Sequence, residues 1–250
     1  MIETRFEQGV FHITLNRPEK HNAFDAAMIA VLTEAVHAVP AEARAVLFSG
    51  NGKSFCAGAD IGYMRKQAES TEDENREDAR KLAHMFDAIY LLPMPTIASV
   101  HGNVFGGGLG IVAACDIAIA ASDARYCFSE VNLGIIPAVI SPYVLRKTGV
   151  SFAKRYFLSG EVFSSAAAAA AGLISESVAS ADQAASLEKL LKAVTSAGQP
   201  AQKSAKRLLH AFENFEPFSR DQLIHELAKL RSSEDAQSRM KKFLEKNTRT

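Results

Sequence analysis

Apolar positions along the chain follow two periods, and the switches between them locate its elements. Val10–Asn16 alternates, with Phe11, Ile13 and Leu15 on one face, and it follows Ile2–Glu7 across a Gln8-Gly9 turn. Alternation on both sides of a glycine turn predicts a β-hairpin that Pro18 brings to an end. Met28, Val31, Leu32, Ala35, Val36 and Val39 then recur at spacings of three and four. They predict a helix capped by Asp25 and closed by Pro40. Ala45–Gly50 reads as a short apolar strand ending in a Gly-Asn-Gly turn. Glu72–Leu92 is expected to be a long helix burying Ala79, Leu82, Ala83, Phe86 and Ile89, after which Pro93 and Pro95 lead into the strand "TIASVHG".

Strands that alternate with helices imply an α/β layered core. From about Asp182 the pattern changes to four amphipathic runs without a strand between them: "ASLEKLLKAV", "AQKSAKRLLHAF", "SRDQLIHELAKL" and "AQSRMKKFLEK". This predicts an all-helical C-terminal portion, of the kind that packs on another subunit. The alanine run in "SSAAAAAAGL" is helix-forming and Gly172 suits its C-terminal stop, so it reads as a packed helix and not a linker.

Composition narrows the partners. A chain of 250 residues with 48% hydrophobic content can bury one large core with an appendage. Its 28 basic and 28 acidic residues balance, which argues against nucleic-acid or acidic-membrane partners. An anionic ligand would then be held by a local cluster or by backbone N–H groups. Lys203, Lys206 and Arg207 fall at helical spacing and are expected to form one solvated face. Cys56, Cys115 and Cys127 make an odd set without a CxxC pair, so they read as buried free thiols in a reducing compartment. No basic leader precedes an apolar run at the N-terminus, and no apolar stretch approaches the ~20 residues that span a bilayer. A soluble cytoplasmic protein is expected.

Two segments carry candidate chemistry. In "GKSFCAGADIGYM", Gly52–Met64, the small residues Cys56, Ala57, Gly58 and Ala59 let backbone approach a ligand, and Ala59-Asp60 can open a helical turn whose free N–H groups face an anion or a polarised carbonyl. An ordinary tight turn would use the same residues. In "HGNVFGGGLG", His101–Gly110, glycines follow a strand and open a helix. Their contiguity, and the lack of an acidic residue ending a second strand, do not fit a dinucleotide loop. Two readings remain: a helix start stripped of side chains so that Gly107 N–H can donate to a substrate, or close packing of helix on strand.

Together, "FCAGAD" at Phe55–Asp60 and "GGG…CD" at Gly106–Asp116 resemble the enoyl-CoA hydratase/isomerase (crotonase) superfamily. "LNRPEKHNAF", "PTIASVHG", "EVNLGIIP" and the terminal "FLEK" extend the resemblance in order over nearly the whole chain. It implies an α/β fold with a crotonase-like spiral of ββα units over residues 1–181 and a helical trimerisation region over 182–250. It also implies a homotrimer or a dimer of trimers. The substrate would be an acyl-CoA, with no metal and no cofactor beyond the coenzyme A of the substrate itself. Ala59 and Gly107 take the positions of the two N–H donors to the thioester oxygen, where preorganised donors are worth ~2.7–4 kcal/mol each.

Relatives that hydrate carry two glutamates, and the first of these positions is Gly110 here; Glu130 occupies the second. Beside Val131 and Leu133, its pKa is expected to be raised. The resemblance assigns coenzyme A contacts to Arg17, Lys20, Ala57, Asp60, Ile61, Phe243 and Lys246. Gly62 stands where relatives often have a lysine, and Arg65 is the candidate substitute. His21 and His101 read as structural, Ser141 and Tyr143 as possible acyl contacts, and the acyl walls as the loop near Tyr63–Thr71 and the segment Ile135–Tyr143. The run through "PAVISPYV" looks most like the bacterial methylglutaconyl-CoA or carboxygeranoyl-CoA hydratase-like branch. The implied reaction is hydration of a branched α,β-unsaturated acyl-CoA, in fatty-acid or branched-chain amino-acid breakdown. A Δ3,Δ2 enoyl-CoA isomerase using Glu130 alone and an inactive acyl-CoA-binding paralogue are the alternatives.

Overall fold

The computed structural model describes residues 1–213 and, beyond them, only Glu234 and Ser238. The hairpin forms as its alternation requires: β1 (Ile2–Glu7) and β2 (Val10–Leu15) pair antiparallel from Ile2↔Leu15 to Glu7↔Val10. Asp25 caps α1 (Ala26–His37) by accepting from Met28 N–H at 2.8 Å, and β3 (Ala45–Gly50) follows, with its first four residues buried.

From β3 onward the chain repeats one move. A strand in a first sheet turns directly into a strand of a second sheet, and a helix then carries the chain back. β3 leads to β4 (Ser54–Cys56), then α2 (Ile61–Glu69) and α3 (Glu72–Tyr90). β5 (Thr96–Val100) leads to β6 (Asn103–Phe105) and α4 (Gly107–Ala114). β7 (Ile117–Ala121) leads to β8 (Arg125–Cys127), a short 3-10 helix at Ser129–Leu133 and α5 (Ser141–Ser159). β9 (Phe163–Ser164), α6 (Ser165–Ala170) and β10 (Glu176–Val178) complete it. The first sheet has the order β1-β2-β3-β5-β7-β10, parallel after the hairpin; the second has the order β4-β6-β8-β9. This is the expected α/β spiral of ββα units. Strands of a parallel sheet are covered on both faces, which is why β3, β5 and β7 are nearly continuous in apolar or small residues. α4 is buried from Gly108 to Ala114, consistent with a helix apolar all round.

Several expectations change. α3 begins with a Thr71–Glu74 capping box, but only its C-terminal half is fully buried, at Met85, Phe86 and Ile89; Ala79 is exposed. The segment expected as a loop at Tyr63–Thr71 is largely α2, which Asp60 caps. α7 (Gln183–Ser196) packs Leu187, Leu190, Leu191 and Val194 against Val10, Leu47 and Ile97 of the first sheet. The shift to all-helical pattern near Asp182 is therefore a change of secondary structure inside a compact unit that runs through Thr195. A second unit comprises Pro93–Pro95 and the chain from Ser196, including α8 (Gln199–Glu213). There Lys206 is buried and its Nζ donates to Met94 O at 3.1 Å, so the expected solvated basic face is broken at its middle residue. The two later helical runs, Ser238 apart, and the positions Phe243 and Lys246 lie outside the described residues. No helix among the described residues is long and apolar enough to cross a membrane.

Candidate active site

One rung of parallel β pairing sets the first donor. Phe24 N–H donates to Gly58 O at 2.7 Å, and Asp60 N–H donates to Phe24 O at 2.7 Å. In such a rung the intervening residue turns its own N–H to the opposite side. That residue is Ala59, whose N–H makes no hydrogen bond among the described residues. The turn is held on both flanks. Gly58 has φ +95°, which favours glycine, and Asp60 accepts from Gly62 N–H at 2.9 Å and Tyr63 N–H at 3.3 Å.

The second donor comes from the glycine run. Gly106 caps α4 with φ 45° and ψ −115°, gives its N–H to Cys127 O at 3.1 Å and accepts from Leu109 N–H at 2.9 Å. Gly107 is the first helical residue, so its N–H has no intrahelical partner and stands at the positive end of α4. The close-packing reading of the glycines holds, and it is compatible with a Gly107 N–H left free. A Cβ on Gly108 would meet Cys56 O at 2.6 Å, and one on Gly107 would meet Phe24 Cδ2 at 2.7 Å. The absent side chains bring α4 against β4, and Gly107 lines one cavity with Ala57, Gly58 and Ala59.

Glu130 sits in the first turn of the Ser129–Leu133 helix, which Gly134 terminates in the left-handed region at φ 74°. Its carboxylate lies against the glycine cap: a Cβ built on Gly106 would be 3.4 Å from Glu130 Oε1. Oε2 is buried and has no hydrogen-bond partner among the described residues. Burial pushes the Glu130 pKa above the ordinary 4.5, and its own backbone N–H only partly offsets this. The neighbouring Cys127 thiol is also pushed up, by burial first and by the Glu130 charge second.

These groups open on one cavity of about 290 Å3, lined by Ala57, Gly58, Ala59, Gly106, Gly107 and Glu130, by Ile29, Met64 and Leu82, and by the segment from Ile135 to Ile140. At Gly110 there is no void. A Cβ there would lie 2.5 Å from Phe86 Cζ and 2.6 Å from Ile140 Cγ2. Apolar side chains fill the place a side chain at Gly110 would need.

A family match decides what this pair of free N–H groups and one buried carboxylate belong to: the enoyl-CoA hydratase/isomerase family matches residues 5–250. The chain belongs to the enoyl-CoA hydratase/isomerase family. The crystal structure of an enoyl-CoA hydratase from Shewanella pealeana is 36% identical, with a TM-score of 0.91 over 98% of this chain and 93% of that one. Pseudomonas aeruginosa AtuE is 30% identical, with a TM-score of 0.92 over 98% of this chain and 96% of that one. Enoyl-CoA hydratase ACTT6 of Alternaria alternata is 36% identical over 155 residues, 61% of this chain and 50% of the relative. The chain spans 50–65% of the length of the curated relatives it matches first.

Among the other positions that the family resemblance singles out, Ala57 lines the cavity and gives its N–H to His21 O at 3.0 Å. Ile61 stands 66% exposed at the start of α2. Arg17 turns inward, 2.6 Å from Asp25 and 3.6 Å from Asp60, whereas Lys20, 3.8 Å from Asp60, is 56% exposed. Burial works against ionisation of Asp60, but the N–H groups of Tyr63 and Gly62, with Lys20 and Arg17, outweigh it and hold its carboxyl below the usual range. Arg65 is exposed and does not line the cavity. His21 bonds Ser54 Oγ at 3.2 Å and His101 bonds Gly52 O at 3.0 Å. Ser141 and Tyr143 do not reach the cavity: Ser141 Oγ donates to Ala138 O at 2.8 Å, and Tyr143 OH donates to Asp87.

Sequence reasoning missed a polar group in the same wall. Tyr63 OH donates to Asp78 Oδ2, and Gln67 Nε2 donates to the same oxygen at 2.7 Å. Burial, and then Asp78, push the Tyr63 phenol up, so it stays protonated. Tyr63 and Gln67 share a helix face by their i, i+4 spacing. Nothing local in the sequence pairs them with Asp78 on α3.

Proposed function

We propose that the protein hydrates a C3-branched α,β-unsaturated acyl-CoA. The reading rests on the contact of the Glu130 carboxylate with Gly106, directly beside the unpaired Gly107 N–H. The thioester oxygen would sit between the N–H groups of Ala59 and Gly107, where charge gathers as the enolate forms. Glu130 would take a proton from water as the water oxygen bonds to C3, and return a proton to C2. Its raised pKa suits a group that must both accept and release a proton near neutrality. With Gly110 closed, one carboxylate serves both transfers, and a methyl at C3 eases this by stabilising positive character where the C–O bond forms. Coenzyme A would lie along Lys20, Ala57 and Ile61, with Asp60 holding the turn. The assembly would be a cytoplasmic homotrimer or dimer of trimers.

The test is incubation with crotonyl-CoA, 3-methylcrotonyl-CoA, 3-methylglutaconyl-CoA and a 3-enoyl-CoA, followed by absorbance and product mass. Gain of one water on a C3-branched substrate supports the reading. No mass change with any 2-enoyl-CoA overturns it.

A second reading draws on the packing at Gly110. Because Phe86 and Ile140 exclude a carboxylate there, Glu130 could instead move a proton between C4 and C2, making the protein a Δ3,Δ2 isomerase. Conversion of the 3-enoyl-CoA at constant mass would show it. Binding without turnover of any of these would identify an inactive acyl-CoA-binding relative.

A further inference from the structure

The polar group in the acyl wall bears on which chains the cavity accepts. Tyr63 and Gln67 of α2 and Asn75 and Asp78 of α3 all line it. Asn75 ties the helices together, its Nδ2 donating to Gln67 O at 3.1 Å and Ser70 O at 3.3 Å. Asp78 receives the Tyr63 hydroxyl and the Gln67 amide on Oδ2, and its Oδ1 accepts no hydrogen bond among the described residues. Its hydrogen-bonding partners are thus neutral. Among the described residues that line the cavity there is no lysine, arginine or histidine, while Asp78 and Glu130 are both acids.

A carboxylate carried into this space by a substrate would lose water, find no cation among the described lining residues and face Asp78 across a partly desolvated pocket. Each of these effects disfavours it. A neutral chain meets none of them. We propose that the cavity selects a neutral acyl chain and turns away one that ends in a carboxylate, with Asp78, held by Tyr63 and Gln67, as the selecting residue. This rests on the acyl-CoA reading above and refines it. Of the two features of the methylglutaconyl-type branch, the C3 methyl group is kept and the terminal carboxylate is not.

The experiment compares calorimetric binding of two saturated, unreactive analogues, 3-methylbutanoyl-CoA and 3-methylglutaryl-CoA, to the full-length protein. Wild type is expected to prefer the neutral analogue by on the order of tenfold or more, as like-charge juxtaposition predicts. Asp78→Asn should narrow the ratio to about threefold or less by improving binding of the carboxylated analogue. Gln67→Lys, which places a cation beside Asp78, should do the same by an independent route, and melting curves verify that both variants fold. Equal or tighter binding of 3-methylglutaryl-CoA by wild type, or a ratio unmoved in both variants, overturns the proposal while leaving the acyl-CoA reading intact. Failure of wild type to bind either analogue overturns both.

Discussion

Phe86 Cζ lies 2.5 Å from the point where a Cβ on Gly110 would stand. Ile140 Cγ2 closes the same space at 2.6 Å, and both residues are buried. The absent side chain at Gly110 therefore leaves no gap beside the cavity. The space is taken by the core, and in the proposed reaction the chemistry would fall to Glu130 and the backbone N–H groups.

Gly110→Glu should consequently fail to create a two-carboxylate site. The side chain overpacks a closed region, at a cost of roughly 1–3 kcal/mol, and a lower melting temperature without faster hydration of crotonyl-CoA is the expected result. Adding Phe86→Ala should recover part of the lost stability. A stable single variant with raised hydratase activity would show that the space is open after all.

Glu130→Gln should lower hydration by ~10²–10⁴-fold while acyl-CoA binding persists. In wild type the acid limb of kcat/KM should fall above the ordinary carboxylate range, because burial raises the pKa of Glu130. The same shift carries a stability signature. The folded state binds this proton more tightly than the unfolded chain, so the group's contribution is complete below the unfolded value of 4.5 and is lost as pH rises through the folded pKa. Glu130→Gln should therefore melt higher than wild type at neutral pH, with the difference vanishing in acid. Parallel melting curves across pH read it directly.

Gly106→Ala tests the proposed second donor, although its added Cβ would also stand 3.4 Å from Glu130 Oε1. At φ 45° and ψ −115°, an L-residue is strained, and relief of that strain would turn the Gly107 N–H. A loss of ~10²–10³-fold in kcat, the range for removal of one oxyanion donor, is expected. Tight binding of a saturated acyl-CoA should survive. If kcat hardly moved in a folded variant, Gly107 N–H would not be a donor in the reaction.

Asp60 caps α2 directly after Ala59, the other proposed donor. Asp60→Ala should lower both stability and kcat, whereas Asp60→Asn, which can still accept from Gly62 and Tyr63 N–H, should retain most of each. Because the pKa of Asp60 is depressed, its contribution is present above the unfolded carboxylate pKa and fades as pH falls through the folded value. The stability gap between wild type and Asp60→Ala should close correspondingly in acid. Equal kcat values for Asp60→Ala and wild type would detach Asp60 from the site.

Much of the spiral was legible in the chain because its signals are local. The Phe11–Ile13–Leu15 alternation, the Asp25 cap and the apolar Ala45–Gly50 run each depend on neighbours a few residues away, and each formed where expected. Burial of Ala79 and the solvated face at Lys206 were misjudged for the opposite reason. Helical period says which residues share a face but not what covers it, and Lys206 found the Met94 carbonyl far away in sequence. The cavity wall was legible only as a region. Its Tyr63–Asp78 pairing requires α2 and α3 to turn back on each other, and no short-range rule supplies that angle.

The glycine run Gly106–Gly110 divides the two kinds of information. Residue types alone established that backbone would come close to something there and that a carboxylate was absent at Gly110, since a missing side chain is a local fact. Which close approach each glycine serves was settled by long-range packing. Gly108 admits Cys56 O, Gly107 admits Phe24 and lines the cavity, and Gly110 admits Phe86 and Ile140. The space around a Cα is made by segments distant in sequence, so it exists only once they have folded together.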